Sequence, residues 1–202
     1  MDSLLEQRHQ PFFVQKVGVG SEIKGISRTD VMTQLCAGKR VLHVGCVDFP
    51  ITDLKENLHI QLDAHCARLD GFDINSGAFE QMKPYLKGEL YDKWEDIDQS
   101  YDIVLVPEVL EHVDNVADFL SKLSNLKATS FIITVPDAYQ CFSRHFDYNT
   151  GSETFVEVVH PDHNCWYTPY TFQNTIKKYT DWDIKGMWFY NNISLLMIAS
   201  IK

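Results

Sequence analysis

The sequence lacks the features that would place it in a membrane or in an oxidising compartment. None of its apolar runs reaches the ~20 residues that a membrane-spanning helix needs. The start of the chain, Met1 to Gln10, is polar and has no apolar signal-peptide core. The five cysteines are odd in number and scattered, with no Cys-x-x-Cys pair, which is typical of reduced thiols. We therefore expect a cytoplasmic protein with no membrane partner and no disulfide framework.

An excess of basic charge is also missing. The chain of 202 residues has 18 Lys and Arg against 28 Asp and Glu, which gives a formal net charge of −10. An acidic surface repels phosphate backbones, so we expect no nucleic-acid partner. The basic pair Lys177-Lys178 lies on a predicted helix and is more typical of a solvated face. The length fits one domain over residues 1–202.

Short apolar runs alternate with helical patterns along the chain. Such alternation predicts an α/β fold with a mostly parallel sheet and helices on both faces. The strands are predicted at 40–45, 68–73, 101–106, 130–135, about 183–190 and 193–201, and the helices at 29–38, 53–67, 76–86, 114–126 and 168–179. Asn191-Asn192 joins the last two strands and predicts an antiparallel hairpin. Residues 1–28 are expected to form an arm or lid, and residues 137–167 an irregular substrate-side loop.

Two residues at predicted strand ends suggest a nucleoside ligand. Gly45 follows the first strand, where a glycine lets the backbone approach a ligand closely and leaves amides free to bind it. Asp73 ends the second strand, where an acid can accept hydrogen bonds from both ribose hydroxyls. The simpler interpretation of Gly45 is a tight turn, and that of Asp73 is a helix cap. Together they favour an adenosine-containing ligand at the carboxyl ends of the strands.

The segment Tyr101 to Val113 resembles the fourth-strand motif of class I S-adenosylmethionine-dependent methyltransferases. Its last six residues read Glu-Val-Leu-Glu-His-Val, as in that family. Residues 42–46 resemble the first motif of the family, 71–75 the second, and 134–139 the end of the fifth strand. The resemblance spans about residues 38–201. It implies a Rossmann-like, doubly wound, mostly parallel seven-stranded sheet with an antiparallel C-terminal hairpin, and S-adenosyl-L-methionine as the cofactor.

The same resemblance assigns the cofactor contacts. Gly45 and Cys46 are expected along the methionine part, Asp73 at the ribose and Ile74 against the adenine. An acid after the third strand is expected to accept the adenine amino group. Asp92 is the preferred residue for this, with Glu89 and Glu95 as competitors. Pro107 and Glu108 are expected to line the cofactor at the end of the fourth strand.

The first motif departs from the family pattern. His43 stands where the family usually has an acid, and Cys46 to Pro50 replaces the usual glycines. A subgroup with a Gly-Cys-Val-Asp loop, a Leu-His pair (here Leu58-His59) and a late His-Pro-x-His-x-x-Trp-Tyr segment shows the same departures, and it acts on small-molecule or glycan-type acceptors. We therefore expect methylation of such an acceptor, on oxygen by preference. The alternative is a non-catalytic methyltransferase-like binding subunit. A nicotinamide dehydrogenase is disfavoured, because Gly-x-Gly-x-x-Gly is missing.

A hydroxyl acceptor needs a base, and histidine suits this role near pH 7. His163 and His160, in the late segment, are the candidates, whereas His112 is expected to be structural. His160, His163 and Cys165, with Cys141 and His145 upstream, could also suggest a metal, but their spacing matches no zinc signature, so we expect none. The aromatic residues of the late segment would either wall an acceptor site or form a local core: Phe142, Phe146, Tyr148, Trp166 and Tyr167. A homodimer is compatible with the sequence.

Overall fold

A computed structural model of the chain describes residues 14–48 and 53–202. The first half of the expected arm, residues 1–13, and the Phe49-Pro50 pair of the first motif therefore lie outside the described residues. Within the described part, no helix has the length and apolar character needed to cross a membrane.

A seven-stranded sheet forms the centre of the fold, as the family resemblance implied. Its strands lie in the order β3-β2-β1-β4-β5-β9-β8. The strands are β1 (Arg40–Val44), β2 (Arg68–Phe72), β3 (Leu90–Tyr91), β4 (Ser100–Pro107), β5 (Lys127–Pro136), β8 (Asp183–Tyr190) and β9 (Ser194–Ser200). The first five strands are parallel, and β9 pairs antiparallel with both β5 and β8. The direction of chain progression reverses between β1 and β4, which is where such sheets bind ligands.

Helices cover both faces of the sheet. They are α1 (Arg28–Cys36), α2 (Leu58–Asp63), α3 (Phe79–Met82), α4 (Val116–Ser124), α5 (Ala138–His145) and α6 (Pro169–Tyr179). Apolar residues of α4 and α6 join one core cluster with β4 and β5, and those of α1 and α2 join a second. The central strands β4 and β5 contribute to both clusters. Their near-continuous apolar runs are thus explained, because these strands are buried on both faces.

Two predicted helices are shorter than the sequence pattern indicated. The predicted helix 53–67 is α2 alone, because Asn57 caps it by accepting the Ile60 amide at 3.0 Å. The predicted helix 76–86 divides into α3 and two flanking 3₁₀ turns, Ser76–Ala78 and Lys83–Tyr85. Pro84 lies in the second turn, where it cannot donate a backbone hydrogen bond to a continuing helix.

The segment 137–167 is more regular than expected. It contains α5, capped by the Asp137 carboxylate, and a separate antiparallel hairpin of β6 (Phe146–Asn149) and β7 (Thr154–Glu157). The Ala138 amide donates to the Tyr167 carbonyl at 2.8 Å, so the segment leaves and returns to the sheet at one point, the end of β5. The prediction of an irregular loop is wrong for α5 and the hairpin.

The described part of the expected arm, residues 14–27, follows the edge of the sheet. Gly20 forms a parallel bridge with Trp188 of β8, and its amide donates to the Met187 carbonyl at 2.9 Å. Ile23 and Ile26 pack against the same core cluster as α1. This contact covers the hydrogen-bonding edge of β8 at Met187 and Phe189, which would otherwise be open to pairing with another chain.

Candidate functional site

Four parallel strands end beside one another at the carboxyl edge of the sheet. The residues that leave these strands are Gly45 after β1, Asp73 after β2, Glu108 after β4 and Asp137 after β5. Three of the residues assigned to the cofactor from the sequence are therefore brought to the same edge. This edge lies at the reversal of strand order between β1 and β4.

The turn after β1 requires a glycine at its first residue. Gly45 has a φ of +81°, and a Cβ atom there would lie 2.6 Å from Cγ2 of Val109. The Gly45 and Cys46 amides both donate to the Phe72 carbonyl, at 2.8 and 3.3 Å. The expectation that these amides are free for a ligand is thus corrected, because they close the turn onto β2. Cys46 is fully buried, and burial raises the pKa of its thiol.

Replacing Gly45 with alanine is expected to lower the free energy of unfolding by roughly 1–3 kcal/mol, since an L-residue is strained at positive φ and the new methyl group would displace Val109. Urea unfolding measures this directly. Gly77→Ala is the matched control, because no atom lies within 4 Å of the added Cβ. An unchanged midpoint for Gly45→Ala would contradict the assigned turn geometry.

Asp73 and Asn57 hold the loop that follows Gly45. One Asp73 oxygen accepts the Val47 amide at 2.9 Å, and the other accepts the Asn75 amide at 2.8 Å. The Asn57 side-chain amide donates to the Cys46 and Val47 carbonyls, at 3.0 Å each. A carboxylate offers about four lone-pair sites, so Asp73 keeps capacity for two ribose hydroxyls. Sequence reasoning missed Asn57, whose one visible signal is that of a helix cap.

The two residues preferred near the adenine, Ile74 and Asp92, follow the neighbouring strands β2 and β3. Ile74 follows Asp73 and is 81% exposed, so its side chain is open to a ligand. Asp92 comes directly after β3 and is also exposed, at the same edge as Asp73. Glu89 precedes β3 and lies beside Asp70 in the middle of β2, whose carboxylate accepts the Glu89 amide at 2.9 Å, and Glu95 lies in a 3₁₀ turn. The strand direction therefore favours Asp92 over Glu89.

Glu108 is held in an uncommon backbone conformation at the end of β4. Its φ is +55°, and its amide donates to the Thr134 carbonyl and hydroxyl, at 3.0 and 3.1 Å. The side-chain oxygen Oε1 is buried without a partner, and burial raises the pKa of the carboxyl group. Pro107, the last residue of β4, is buried. Glu108 thus presents an unpaired acceptor beside the turn that follows β1.

Arg28 is a site residue that sequence reasoning missed. Its guanidinium lies 3.4 Å from the Asp48 carboxylate, and its charge acts on the pKa values of His43 and Glu108. Its Nε atom is buried without a partner. Arg28 therefore places a cation between the turn after β1 and the end of β4. It lies at the first residue of α1, where no motif points to it.

Three histidines from two distant parts of the sequence meet beside the end of β4. The ring centroid of His112 lies 4.5 Å from that of His163 and 5.3 Å from that of His160. Asn164 joins the two parts, since its amide donates to the Glu111 carbonyl at 2.8 Å and its side chain to the His112 carbonyl at 3.0 Å. The loop after β5 therefore reaches the carboxyl edge of the sheet, where an acceptor would meet the cofactor.

The two candidate bases differ in their hydrogen bonds. Nδ1 of His160 accepts the Asp162 amide at 3.2 Å, so this nitrogen already has a hydrogen-bond partner. Nδ1 of His163 is buried without a partner. Burial, with His112 and His160 nearby, lowers the pKa of His163 to about 4. The His163 ring is thus neutral at pH 7 and has a free nitrogen.

The other side chains of segment 137–167 divide into two groups. Phe146 packs against Trp166 and Phe155, and the Trp166 indole donates to Glu157, so these rings form a partly exposed cluster. Tyr139 and Phe142 are exposed by 72% and 70%. In the part of the chain that the structure describes, neither Cys141, His145 nor Cys165 belongs to a potential metal-ligand set, whereas Glu111, His112 and His163 form one.

Sequence comparison gives one partial relative. No protein-family model matches the chain. The sequence is 27% identical over 95 residues to N-methyltransferase 4 of Papaver somniferum, and this match covers 44% of the chain and 27% of that protein. The chain thus matches little more than a quarter of the length of this curated relative.

Solved structures share the fold over most of the chain. Magnesium protoporphyrin IX methyltransferase from Synechocystis PCC 6803, solved with bound SAH, aligns with a TM-score of 0.56 at 17% identity, over 86% of this chain and 82% of that one. A chain of the Pnkp1/Rnl/Hen1 RNA repair complex aligns with a TM-score of 0.57 at 13% identity, over 86% of this chain and 41% of that one. The fold expected from the sequence is therefore confirmed.

Proposed function

We propose that the protein is an S-adenosylmethionine-dependent methyltransferase. The observation that carries this proposal is the meeting of the Gly45 turn, Asp73 and Glu108 at the reversal of strand order in the sheet. The cofactor already carries an activated methyl group on its sulfonium, so the protein mainly orients it for in-line displacement. The fold shared with a methyltransferase solved with SAH supports the same activity.

The polar groups of the site match the parts of this cofactor. Asp73 accepts the ribose hydroxyls, Ile74 covers the adenine and Asp92 accepts its amino group. The unpaired Oε1 of Glu108 accepts from the cofactor's ammonium group, and Arg28 pairs with its carboxylate. Gly45, Cys46 and Pro107 line the cofactor site through backbone and apolar contacts. Arg28 is an addition to the residues that the sequence assigned.

The acceptor is proposed to be a small molecule or a glycan with a reactive hydroxyl. The net charge of −10 opposes an anionic polymer, and the exposed rings of Tyr139 and Phe142 suit a sugar face or an apolar ring. His163 takes the hydroxyl proton as the methyl group moves, since its Nδ1 has no partner. RNA is the competing acceptor, because one structure with this fold belongs to an RNA repair complex. Parallel assays with labelled cofactor on glycan, phenol and RNA acceptors separate these classes.

Calorimetric titration with S-adenosylmethionine, S-adenosylhomocysteine and NAD tests the cofactor. We expect the first two to bind and NAD not to bind. Asp73→Ala is expected to weaken binding by roughly 1–3 kcal/mol, because hydrogen bonds to a charged group are lost. Asp118→Ala, on the exposed face of α4, is the control and should bind as the wild type does.

Absence of binding by the wild type at millimolar cofactor would contradict the enzyme assignment. That outcome would instead favour a non-catalytic methyltransferase-like subunit, which the unusual first motif also suggests. Equal affinity of Asp73→Ala and the wild type would contradict the ribose assignment alone. The homodimer and the cytoplasmic location stay predictions.

A further inference from the structure

Glu111, His112 and His163 converge on one point beside the end of β4. Each offers one ligand atom, and these atoms all lie within 4.8 Å of one another. Oε1 of Glu111 lies 3.9 Å from Nε2 of His112. The two hydrogen bonds from Asn164 to the carbonyls of Glu111 and His112 fix the segment that carries His163 against them. The cluster is therefore built by two separate parts of the chain.

The central member of the cluster has no polar partner. Glu111 is fully buried, and neither of its carboxylate oxygens accepts a hydrogen bond. Nδ1 of His163 is likewise buried and unpaired. Buried polar groups are costly unless they are paired, and an isolated carboxylate is the most costly case. The cluster needs a proton or a cation at its centre to balance it.

We propose that Glu111, His112 and His163 bind one divalent transition-metal ion. Two imidazole nitrogens and one carboxylate oxygen are a ligand set that suits zinc, iron, cobalt or manganese. Magnesium and calcium prefer oxygen ligands and fit this set poorly. The sequence predicts no metal, because the spacing of His160, His163 and Cys165 matches no zinc signature. Glu111 and His112, which complete the cluster, are distant from His163 along the chain. The proposal goes beyond the methyltransferase function and does not depend on it.

The geometry requires little rearrangement. Ligand atoms at about 2.0–2.2 Å from a shared ion are about 3–4.3 Å apart, which is near the spacing in the cluster. The Glu111 carboxylate and Nδ1 of His163 give up no hydrogen bond when they bind an ion, because neither has a partner.

The ion would have a clear route to the acceptor. Three protein ligands leave at least one coordination position open. The His112 side chain is 31% exposed, so the cluster reaches the surface. A hydroxyl bound to the ion would lose its proton more easily, to solvent water. The base role proposed for His163 therefore applies to the metal-free protein, and in the metal-loaded protein His163 is a ligand. The expected effect of removing His163 on turnover is the same in either role.

Metal titration of tag-free protein, stripped with EDTA and desalted, tests the site without any acceptor. We expect one equivalent of Zn²⁺ or Co²⁺ to bind by calorimetry, with visible absorption from bound Co²⁺, and little binding of Mg²⁺. Glu111→Gln and His163→Gln are expected to lower the affinity by at least about a hundredfold. His65→Gln, on the exposed surface, should bind as the wild type does.

Two results would overturn the proposal. One is a wild-type protein that binds neither ion at millimolar concentration. The other is wild-type affinity in both Glu111→Gln and His163→Gln. If Glu111→Gln fails to fold, which thermal unfolding reveals, His163→Gln decides alone, because it lies outside the sheet. S-adenosylhomocysteine binding, measured on the same samples, separates failure of this site from failure of the cofactor assignment.

Discussion

Replacing His163 with alanine is expected to lower the turnover of a hydroxyl acceptor by roughly 10²–10⁴-fold, the usual contribution of a positioned proton acceptor. The reason is geometric. Nδ1 of His163 is unpaired, and the His112 contact holds the ring beside the end of β4. The affinity for S-adenosylhomocysteine should change less than twofold, since His163 lies on the acceptor side. Steady-state kinetics with a reactive acceptor, together with calorimetry, measure both quantities.

His160→Ala is the informative companion variant. Its Nδ1 already accepts the Asp162 amide, so we expect a smaller loss of turnover than for His163→Ala. His65→Ala, on an exposed turn, controls for general effects of removing an imidazole. Near wild-type turnover in both His160→Ala and His163→Ala would show that the late segment only anchors the loop. Loss of cofactor binding in either variant would show that the replaced histidine serves the cofactor and not the acceptor.

The fold followed from the sequence because its signals are local and repeated. The buried runs of β4 and β5, the Asn191-Asn192 turn and the Thr168 cap each act within a few residues. The shortened helices were missed where one side chain decides the boundary, as Asn57 does for α2. The α5 helix was missed because Cys141 is the one residue that it buries, which leaves almost no apolar period to detect.

The candidate site was predictable only where residues follow strands. Gly45, Asp73 and Glu108 each end a parallel strand, so topology alone brings them together. Arg28 and the Glu111–His163 contact have no such signal, because they depend on how α1 and the segment 137–167 fold back over the sheet. Burial of an unpaired group such as Glu111 is a property of packing, which no spacing in the sequence records.

Two departures from the family motif, which the sequence presents separately, are one feature in the structure. His43 stands in β1 where an acid is usual, and His59 belongs to the Leu-His pair at the start of α2. Both side chains are fully buried, and their Nδ1 atoms lie 3.2 Å apart. One ring donates and the other accepts, which requires that the accepting ring is neutral. The pair connects β1 to α2 beneath the turn at Gly45.

This pair makes stability depend on pH in a defined direction. Burial lowers the pKa of His59 to about 4, although the Asp63 and Asp70 carboxylates act in the opposite direction. Burial, with the charges of His59 and Arg28, lowers the pKa of His43 well below its usual range. Each imidazole therefore binds a proton more readily in the unfolded chain, with a pKa of about 6.5, than in the folded protein. Their contribution to stability is complete at pH values above the pKa of the unfolded chain, and it is lost as the pH falls below that pKa.

Between pH 7 and pH 5, we expect His59 to remove about 2 kcal/mol from the free energy of unfolding, and His43 to act in the same direction. Urea unfolding across this range measures the loss. The buried carboxyl groups of Glu108 and Glu111 have raised pKa values and act in the opposite direction. The slope of the free energy of unfolding against pH is therefore compared between variants. His59→Gln should reduce the number of protons bound on unfolding, which this slope measures, by up to one. His65→Gln should leave that number unchanged. Equal slopes in His59→Gln and the wild type would show that the buried pair does not control the acid sensitivity.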